Sequence, residues 1–225
     1  MDIRNLLSTA WRDGPRVRGA IVVFAIGFLL SALYPSDMRS YTTHPGDGNA
    51  NPVVTTTEDY VRFVNTGLQV ILPIMLRDPE GLAQLVCIAV VATVATHGTK
   101  RLVDKWVIHG TRLGRRPLGP GSRHNIPSGH SSMSSCGAYF VCRRYGWKLA
   151  WIVFPILLLT MYARVALNEH TISAVLAGGF LGLLVSAIFT TRHRKAAVRR
   201  TTRGANVELI PERLHSHVEA VGPMS

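Results

Sequence analysis

Two histidines in this chain have neighbours suited to phosphoryl transfer. Pro127-Ser128-Gly129-His130 precedes an apolar block studded with serine, and Arg164-Val165-Ala166-Leu167-Asn168-Glu169-His170 joins two apolar blocks. Proline and serine at the head of a block are helix N-terminal signals. The first N–H groups of such a helix have no partner within it, and with the helix dipole they form an anion site. Gly129 lets that backbone approach a phosphate closely, Ser128 adds a hydroxyl donor, and His130 is placed to protonate a leaving oxygen. In the second segment Arg164 ends one helix and His170 opens the next, with Asn168 as the expected N-cap between them. A guanidinium forks onto two phosphate oxygens, and a neutral imidazole at a helix start can attack phosphorus. A nucleophile, an in-line acid and positive donors around the equatorial oxygens are most of what the reaction requires. A basic stretch ending in Arg115-Arg116-Pro117 supplies further donors.

The elements that must hold these residues are apolar helices. Apolar residues in the 225-residue chain gather into blocks at about 19–34, 60–76, 81–96, 131–142, 149–163 and 171–190, with charges between them. This predicts an all-α, polytopic transmembrane bundle of about six spans. A crossing helix needs roughly 20 residues, and the second and fourth blocks fall short. The second carries Arg62 and Asn65 and is expected partly at the interface; the fourth is expected inside the bundle. The first block follows Arg12, Arg16 and Arg18, but no small-x-small cleavage site follows it, so it reads as a retained span. Residues 35–57 read as a loop. The expected organisation is a membrane domain over 1–190 and a basic, partly disordered cytoplasmic tail over 191–225.

The net charge of +12 in a soluble chain would point to nucleic acid, but here the basic residues sit at the ends of apolar blocks. With the N-terminus inside, Arg77, Arg143, Arg144, Lys148 and Arg192 all fall on the inner side, as the positive-inside rule requires. One outer segment breaks the rule. Residues 98–127 hold Lys100, Arg101, Lys105, Arg112, Arg115, Arg116 and Arg123 against Asp104, which calls for an anionic ligand. Trp106, Trp147 and Trp151 read as interface anchors. His97, His109 and His124 read as solvated. Cys87, Cys136 and Cys142 have no metal-ligand spacing and read as small apolar residues, with no disulfide expected.

Over about residues 95–185 the chain resembles the type-2 phosphatidic acid phosphatase family. That family carries a lysine six residues before Arg-Pro, then Pro-Ser-Gly-His, then Ser-Arg, five residues, His, three residues and Asp. Arg116-Pro117, the complete Pro-Ser-Gly-His at 127–130, and Arg164 with His170 match it. The run from Thr111 to His130, with Arg143-Arg144-Tyr145-Gly146-Trp147-Lys148, is similar to the family's bacterial lipid A 1-phosphatases. The resemblance implies that His170 is the nucleophile, that His130 is the general acid, and that Arg164 assists as a catalytic guanidinium. It implies that Lys100, Arg116, Ser128 and Gly129 bind the substrate phosphate, with no metal and no cofactor. It further implies a multi-pass protein of the bacterial inner membrane, its site facing the periplasm, removing a phosphate from a membrane lipid, lipid A first. Undecaprenyl diphosphate, phosphatidic acid or phosphatidylglycerol phosphate, transfer to a second lipid, and a non-catalytic lipid-phosphate binder are the alternatives. The chain departs from the family pattern in three places. His109 stands at the lysine position, leaving Lys100 ahead of Lys105 as the replacement; Ala163 replaces the serine; Ala174 replaces the aspartate that would orient the His170 ring. Ser173 and Glu169 are the nearest groups in sequence that could take over that role.

Overall fold

The computed structural model describes residues 15–41, 51–119 and 121–193. The tail beyond 193 and the N-terminal Arg4 and Arg12 lie outside the described residues. Among the described residues there are seven α-helices: α1 Pro15–Ala32, α2 Pro52–Asp59, α3 Val64–Met75, α4 Pro79–Val103, α5 Gly129–Tyr145, α6 Ala150–Ala166 and α7 Ile172–Phe189. Short 3-10 turns cover Met38–Tyr41, Val61–Phe63 and Trp147–Leu149. Among the described residues the only strands are β1 Val107–Ile108 and β2 Thr111–Arg112, an antiparallel pair joined by His109-Gly110. Both turn residues have positive φ (46° and 76°), as a two-residue hairpin turn requires.

All six apolar blocks of the sequence are helical. Three helical segments are long and apolar enough to cross a membrane: Pro79–Val103, Trp147–Ala166 and Ile172–Phe189. The apolar runs Val17–Ala32 and Val61–Met75 are shorter. Large aliphatic and aromatic side chains point outward along these helices, with Leu30 70% and Trp151 87% exposed. So much outward apolar surface fits hydrocarbon rather than water. Two boundaries differ from the sequence pattern. Part of the expected loop at 35–57 is helix α2, because Asn51 caps it by accepting from Val53 N–H and Pro52 sits in its first turn. Helix α4 also runs past Thr96 to Val103, so Lys100 lies on helix rather than in a loop.

Helix α5 is the centre of the bundle and is buried on nearly every side. Its serines fit there because their hydroxyls have partners. Ser135 Oγ donates to the Ser132 carbonyl at 3.0 Å, and Thr96 Oγ1 reaches Ser132 Oγ at 3.3 Å. Asn65, expected near an interface, is wholly buried and donates to Ser134 and to the Val153 carbonyl, tying α3, α5 and α6 together. Helix α7 meets α5 at backbone distance. A Cβ at Gly178 would collide with the Ser128 carbonyl, and one at Gly182 with Ser135 Oγ and the Ser132 carbonyl.

At the other end of α5, Arg144 is not the surface topology charge its position suggested. It is 1% exposed and grips Asp78 through Nε–Oδ2 and Nη2–Oδ1, both at 2.5 Å. Its Nη1 donates to Gln84 Oε1 (3.2 Å) and to the Thr191 carbonyl (3.1 Å). Asp78 also caps α4 through Gly81 N–H and accepts from Tyr145 Oη at 2.9 Å. Burial pushes the Asp78 carboxyl up, but bonds from Arg144, Gly81 and Tyr145 outweigh it and hold its pKa at about 2. The stabilisation this gives is complete above the ordinary carboxyl value of about 4 and is lost as pH falls toward 2. Asp78→Ala leaves buried Arg144 with only the longer 3.7 Å contact to the partly exposed Glu80, so it should cost about 3 kcal/mol and lower Tm by roughly 10 °C. Thermal unfolding in detergent checks this; a Tm within 2 °C of wild type would count against the pair as the anchor of α4 and α5.

Candidate functional site

Helix α5 starts at Gly129 because Ser128 is its N-cap. Ser128 Oγ accepts from Ser131 N–H at 3.5 Å and from Ser131 Oγ at 3.1 Å, and Ser128 N–H donates to the Ala174 carbonyl on α7 at 2.8 Å. The segment before α7 is built differently from the sequence reading. Asn168 is not an N-cap; it adopts a left-handed conformation (φ 55°) just past the end of α6. The N–H groups of Glu169 and His170 both return to the Arg164 carbonyl at 3.1 Å, which fixes the nucleophile candidate beside the end of α6. Thr171 is the N-cap of α7.

The third piece is the loop 104–125. Asp104 accepts from His124 N–H at 2.9 Å and packs against Gly114, where a Cβ would clash with it. Gly114 in turn accepts from Asn125 N–H at 3.0 Å. Ser122 Oγ accepts from Arg116 N–H at 2.8 Å, bracing the turn that carries that arginine.

These elements converge on a cavity of about 530 Å³. Its lining includes Lys100, Arg116, Gly129, His130, Arg164 and His170, six of the seven site residues expected from sequence. The seventh, Ser128, is 0% exposed, does not line the cavity, and spends its hydroxyl on the cap. Lys105 is exposed and does not line it, so the structure separates the two lysines. His97, expected to be solvated, stands on the cavity wall.

His170 is 2% exposed. Its Nδ1 lies 2.8 Å from the Asn125 carbonyl oxygen and 3.4 Å from Asn125 Oδ1. A carbonyl only accepts, so Nδ1 carries the proton and the ring lone pair is on Nε2. Asn125 is itself clamped: Nδ2 donates to Thr171 Oγ1 at 3.0 Å, and Thr171 N–H donates to Oδ1 at 3.2 Å. Neither group expected to replace the missing carboxylate touches the ring. Ser173 Oγ pairs with Ser36 Oγ at 2.8 Å and Thr171 Oγ1 at 3.0 Å. Glu169 instead binds Arg116 Nη1 at 2.9 Å and Arg164 Nη2 at 3.2 Å. Burial, then the charges of Arg116, Lys100 and Arg164, hold the His170 pKa well below its ordinary value; the Asn125 bond opposes this more weakly.

Two residues missed by the sequence reading do not line the cavity but bond to residues that do. Glu58 accepts from Arg62 Nη1 and, at 2.6 Å, from Arg164 Nη1. Arg62 Nη1 lies 3.3 Å from His130 Nε2. The Nε atoms of Arg62, Arg116 and Arg164 are buried and have no hydrogen-bond partner among the described residues. Unmet guanidinium donors beside a cavity are what an oxyanion would satisfy. Glu58 could be flagged in sequence only as the i–4 partner of Arg62, a spacing too common to point at a site.

Fold and site together define a membrane-embedded helical protein with a polycationic anion site that holds two histidines. The PAP2 superfamily model matches residues 81–197, and the chain belongs to that superfamily. It is a phosphatase. It is similar to a lipid A 1-phosphatase of Helicobacter pylori (strain ATCC 700392 / 26695), 43% identical over 135 residues that cover 60% of this chain and 70% of that one. A lipid A 4'-phosphatase of Helicobacter pylori (strain J99) is 33% identical over 121 residues, covering 53% and 61%. Among solved structures, a transmembrane PAP2-type phosphatidylglycerolphosphate phosphatase from Bacillus subtilis aligns over 74% of this chain and 92% of that one, with 20% identity and a TM-score of 0.42.

Ala174, where the family aspartate would fall, is wholly buried in a cluster with Ala32, Val103, Leu113, Ile126 and Ala177. The His170 Nδ1 proton is already engaged by Asn125. Ala174→Asp would therefore bury a carboxylate among apolar side chains. It should cost at least about 2 kcal/mol of stability and bring no gain in turnover. Tm and phosphate release measured together check this; higher activity at unchanged Tm would show that the ring lacks a partner.

Proposed function

We propose that the protein removes a phosphate monoester from a membrane lipid, with lipid A as the favoured substrate, through a phosphohistidine on His170. The observation that carries this reading is the single cavity shared by His170, His130, Lys100, Arg116, Arg164 and Gly129. In this reading the Nε2 lone pair of His170 attacks phosphorus while the bond to the leaving lipid oxygen breaks. The bound phosphate dianion opposes the burial and the arginine charges that disfavour protonated His130, which then delivers the proton that oxygen needs. Lys100, the free donors of Arg116 and Arg164, and the first N–H groups of α5 hold the equatorial oxygens. Water then attacks the phosphohistidine, His130 takes its proton, and the N–P bond breaks to release inorganic phosphate. The Asn125 carbonyl takes over the orienting role of the absent aspartate: it fixes the tautomer and supports the ring as it becomes positive. None of these steps requires a metal or cofactor.

Six spans, the bacterial inner membrane and a periplasmic site belong to the same reading. Support comes from the six helical blocks, from the basic inner ends of the sequence, and from the names of the relatives. The free guanidinium donors also suit undecaprenyl diphosphate or phosphatidylglycerol phosphate, which present similar oxygens. A substrate panel therefore decides the headgroup.

His170→Ala should abolish phosphate release from purified protein on lipid A, and ³²P should appear on wild-type protein in acid-quenched reactions. Release at the wild-type rate from the variant would end the proposal. Lys100→Met should cost about 100-fold or more in kcat/KM, whereas Lys105→Met should stay within about twofold. Because the fold depresses the His170 pKa, the nucleophile stays neutral as pH falls below about 6.5. The acid limb of the single-turnover rate of phosphoenzyme formation should thus lie well below pH 6.5, and a limb at or above 6.5 would contradict the charge environment described above.

A further inference from the structure

A second cavity lies on the other side of the arginine-bearing loop. It encloses about 600 Å³ and is lined by His109, Arg112 and Arg115, with Asp37 and Met38 facing them. Arg115 and Arg116 are consecutive, yet Arg115 lines this cavity and Arg116 lines the catalytic one. One turn of chain therefore sends a guanidinium into each. The turn is braced as a unit. Ser122 holds Arg116 N–H through its hydroxyl and accepts from Arg112 Nη2 through its carbonyl, and Arg115 N–H donates to the Arg112 carbonyl at 3.1 Å. Below it, Leu113 is 2% exposed, so the loop is anchored in the fold.

The rim is equally constrained. His109 sits at the hairpin tip with φ 46°, a left-handed conformation that is unfavourable for a residue with a Cβ. The facing segment is docked on the start of α7 by Ser36 Oγ against Ser173 Oγ (2.8 Å) and by Ile172 N–H donating to Tyr41 Oη (2.9 Å). The wall thus combines two arginines and a histidine with one carboxylate. Arg112 Nε and Arg115 Nε are buried without a hydrogen-bond partner among the described residues. Two guanidiniums and an imidazole on one cavity suit an oxyanion, which their remaining N–H donors can bind. Nothing in the phosphatase reaction uses them.

We propose that this cavity is a second oxyanion site. It takes a second phosphate of the same lipid headgroup whose scissile phosphate occupies the catalytic cavity, and so selects doubly phosphorylated lipids. This rests on the phosphatase reading above. It adds a specificity determinant that acts through KM, because Arg112 and Arg115 do not line the catalytic cavity.

The test uses the full chain in detergent micelles with two substrates. One is a glycolipid carrying two phosphate monoesters, and the other is the same glycolipid with only the scissile one. For Arg112→Gln/Arg115→Gln, kcat/KM should fall about tenfold or more on the first, mostly through KM, and less than about twofold on the second. Retained turnover of the second lipid shows that the variant is folded. Equal losses on both lipids, or no loss on either, would overturn the proposal. Inorganic phosphate is added in a parallel arm. If it changes wild-type turnover of the singly phosphorylated lipid while the double variant is indifferent, the cavity takes free phosphate and the headgroup assignment is wrong. If the wild type hydrolyses neither lipid, the phosphatase reading fails by itself. Binding of the two lipids to wild type and variant then decides the second site: the doubly phosphorylated lipid must lose about tenfold and the other must not.

Discussion

The backbone contact between α5 and α7 is the constraint on which the rest of the site depends. Ser128 N–H donates to the Ala174 carbonyl at 2.8 Å, and Gly178 and Gly182 leave room for the carbonyls and hydroxyls of α5. Helix axes normally stand 8–10 Å apart, set by the side chains between them. Glycine at the contact removes that spacer. The N-terminus of α5, with its unpaired N–H groups, is thereby brought to the same level as the N-terminus of α7. His130 and His170 each lie within one or two residues of those termini. Two local motifs become one site only because the helices that carry them start at the same height.

The loop 104–125 supplies what the helices cannot. A helix N-terminus places His170 but does not fix which way its ring faces. Asp104 anchors the loop through His124 and Gly114, Gly114 holds Asn125, and Asn125 holds both Thr171 and the His170 ring. The orienting acceptor is a neutral carbonyl, which has a physical consequence. A carboxylate in that place would draw the imidazole toward its protonated form. A carbonyl orients the ring without adding a negative charge, and with three cations around it the imidazole is favoured in its neutral form.

Much of this site was legible because its components are short and local. Pro127 to His130 and Arg164 to His170 are contiguous segments whose residue types state their chemistry, and Lys100 was preferred over Lys105 for lying at the end of an apolar block. What stayed hidden comes from pairs far apart in sequence. Asn125 meets His170 across 45 residues, Glu58 meets Arg164 across 106, and Arg144 meets Asp78 across 66. No period or spacing encodes such meetings. Single polar residues were misread for a related reason. Arg144 and Asn65 sit where a topology signal and an interface residue are common, and only the partners brought by folding make their burial tolerable. Ser128 shows the opposite error: its hydroxyl matched a ligand pattern, but the helix uses it as a cap.

The charge balance around the cavity bears on how an anion enters it. Arg62, Arg116 and Arg164 are held by two carboxylates, Glu58 and Glu169, each shared between two guanidiniums. Lys100, Arg116 and Arg164 line the cavity, and with the groups bonded to them the cluster carries four positive charges against two negative, an excess of two. A phosphate monoester dianion carries that deficit. The sharing also leaves the Nε–H groups of Arg116 and Arg164, two residues that line the cavity, without a hydrogen-bond partner among the described residues, so an oxyanion that reached them would complete the guanidiniums rather than displace the glutamates. Displacement would leave two partly exposed carboxylates without the guanidiniums they hold and lose contacts of 2.6–3.2 Å. Completion costs neither, and it keeps the arginines in the orientation the carboxylates have already set. The glutamates are therefore better understood as supports that preorganise the guanidiniums than as competitors for an anion.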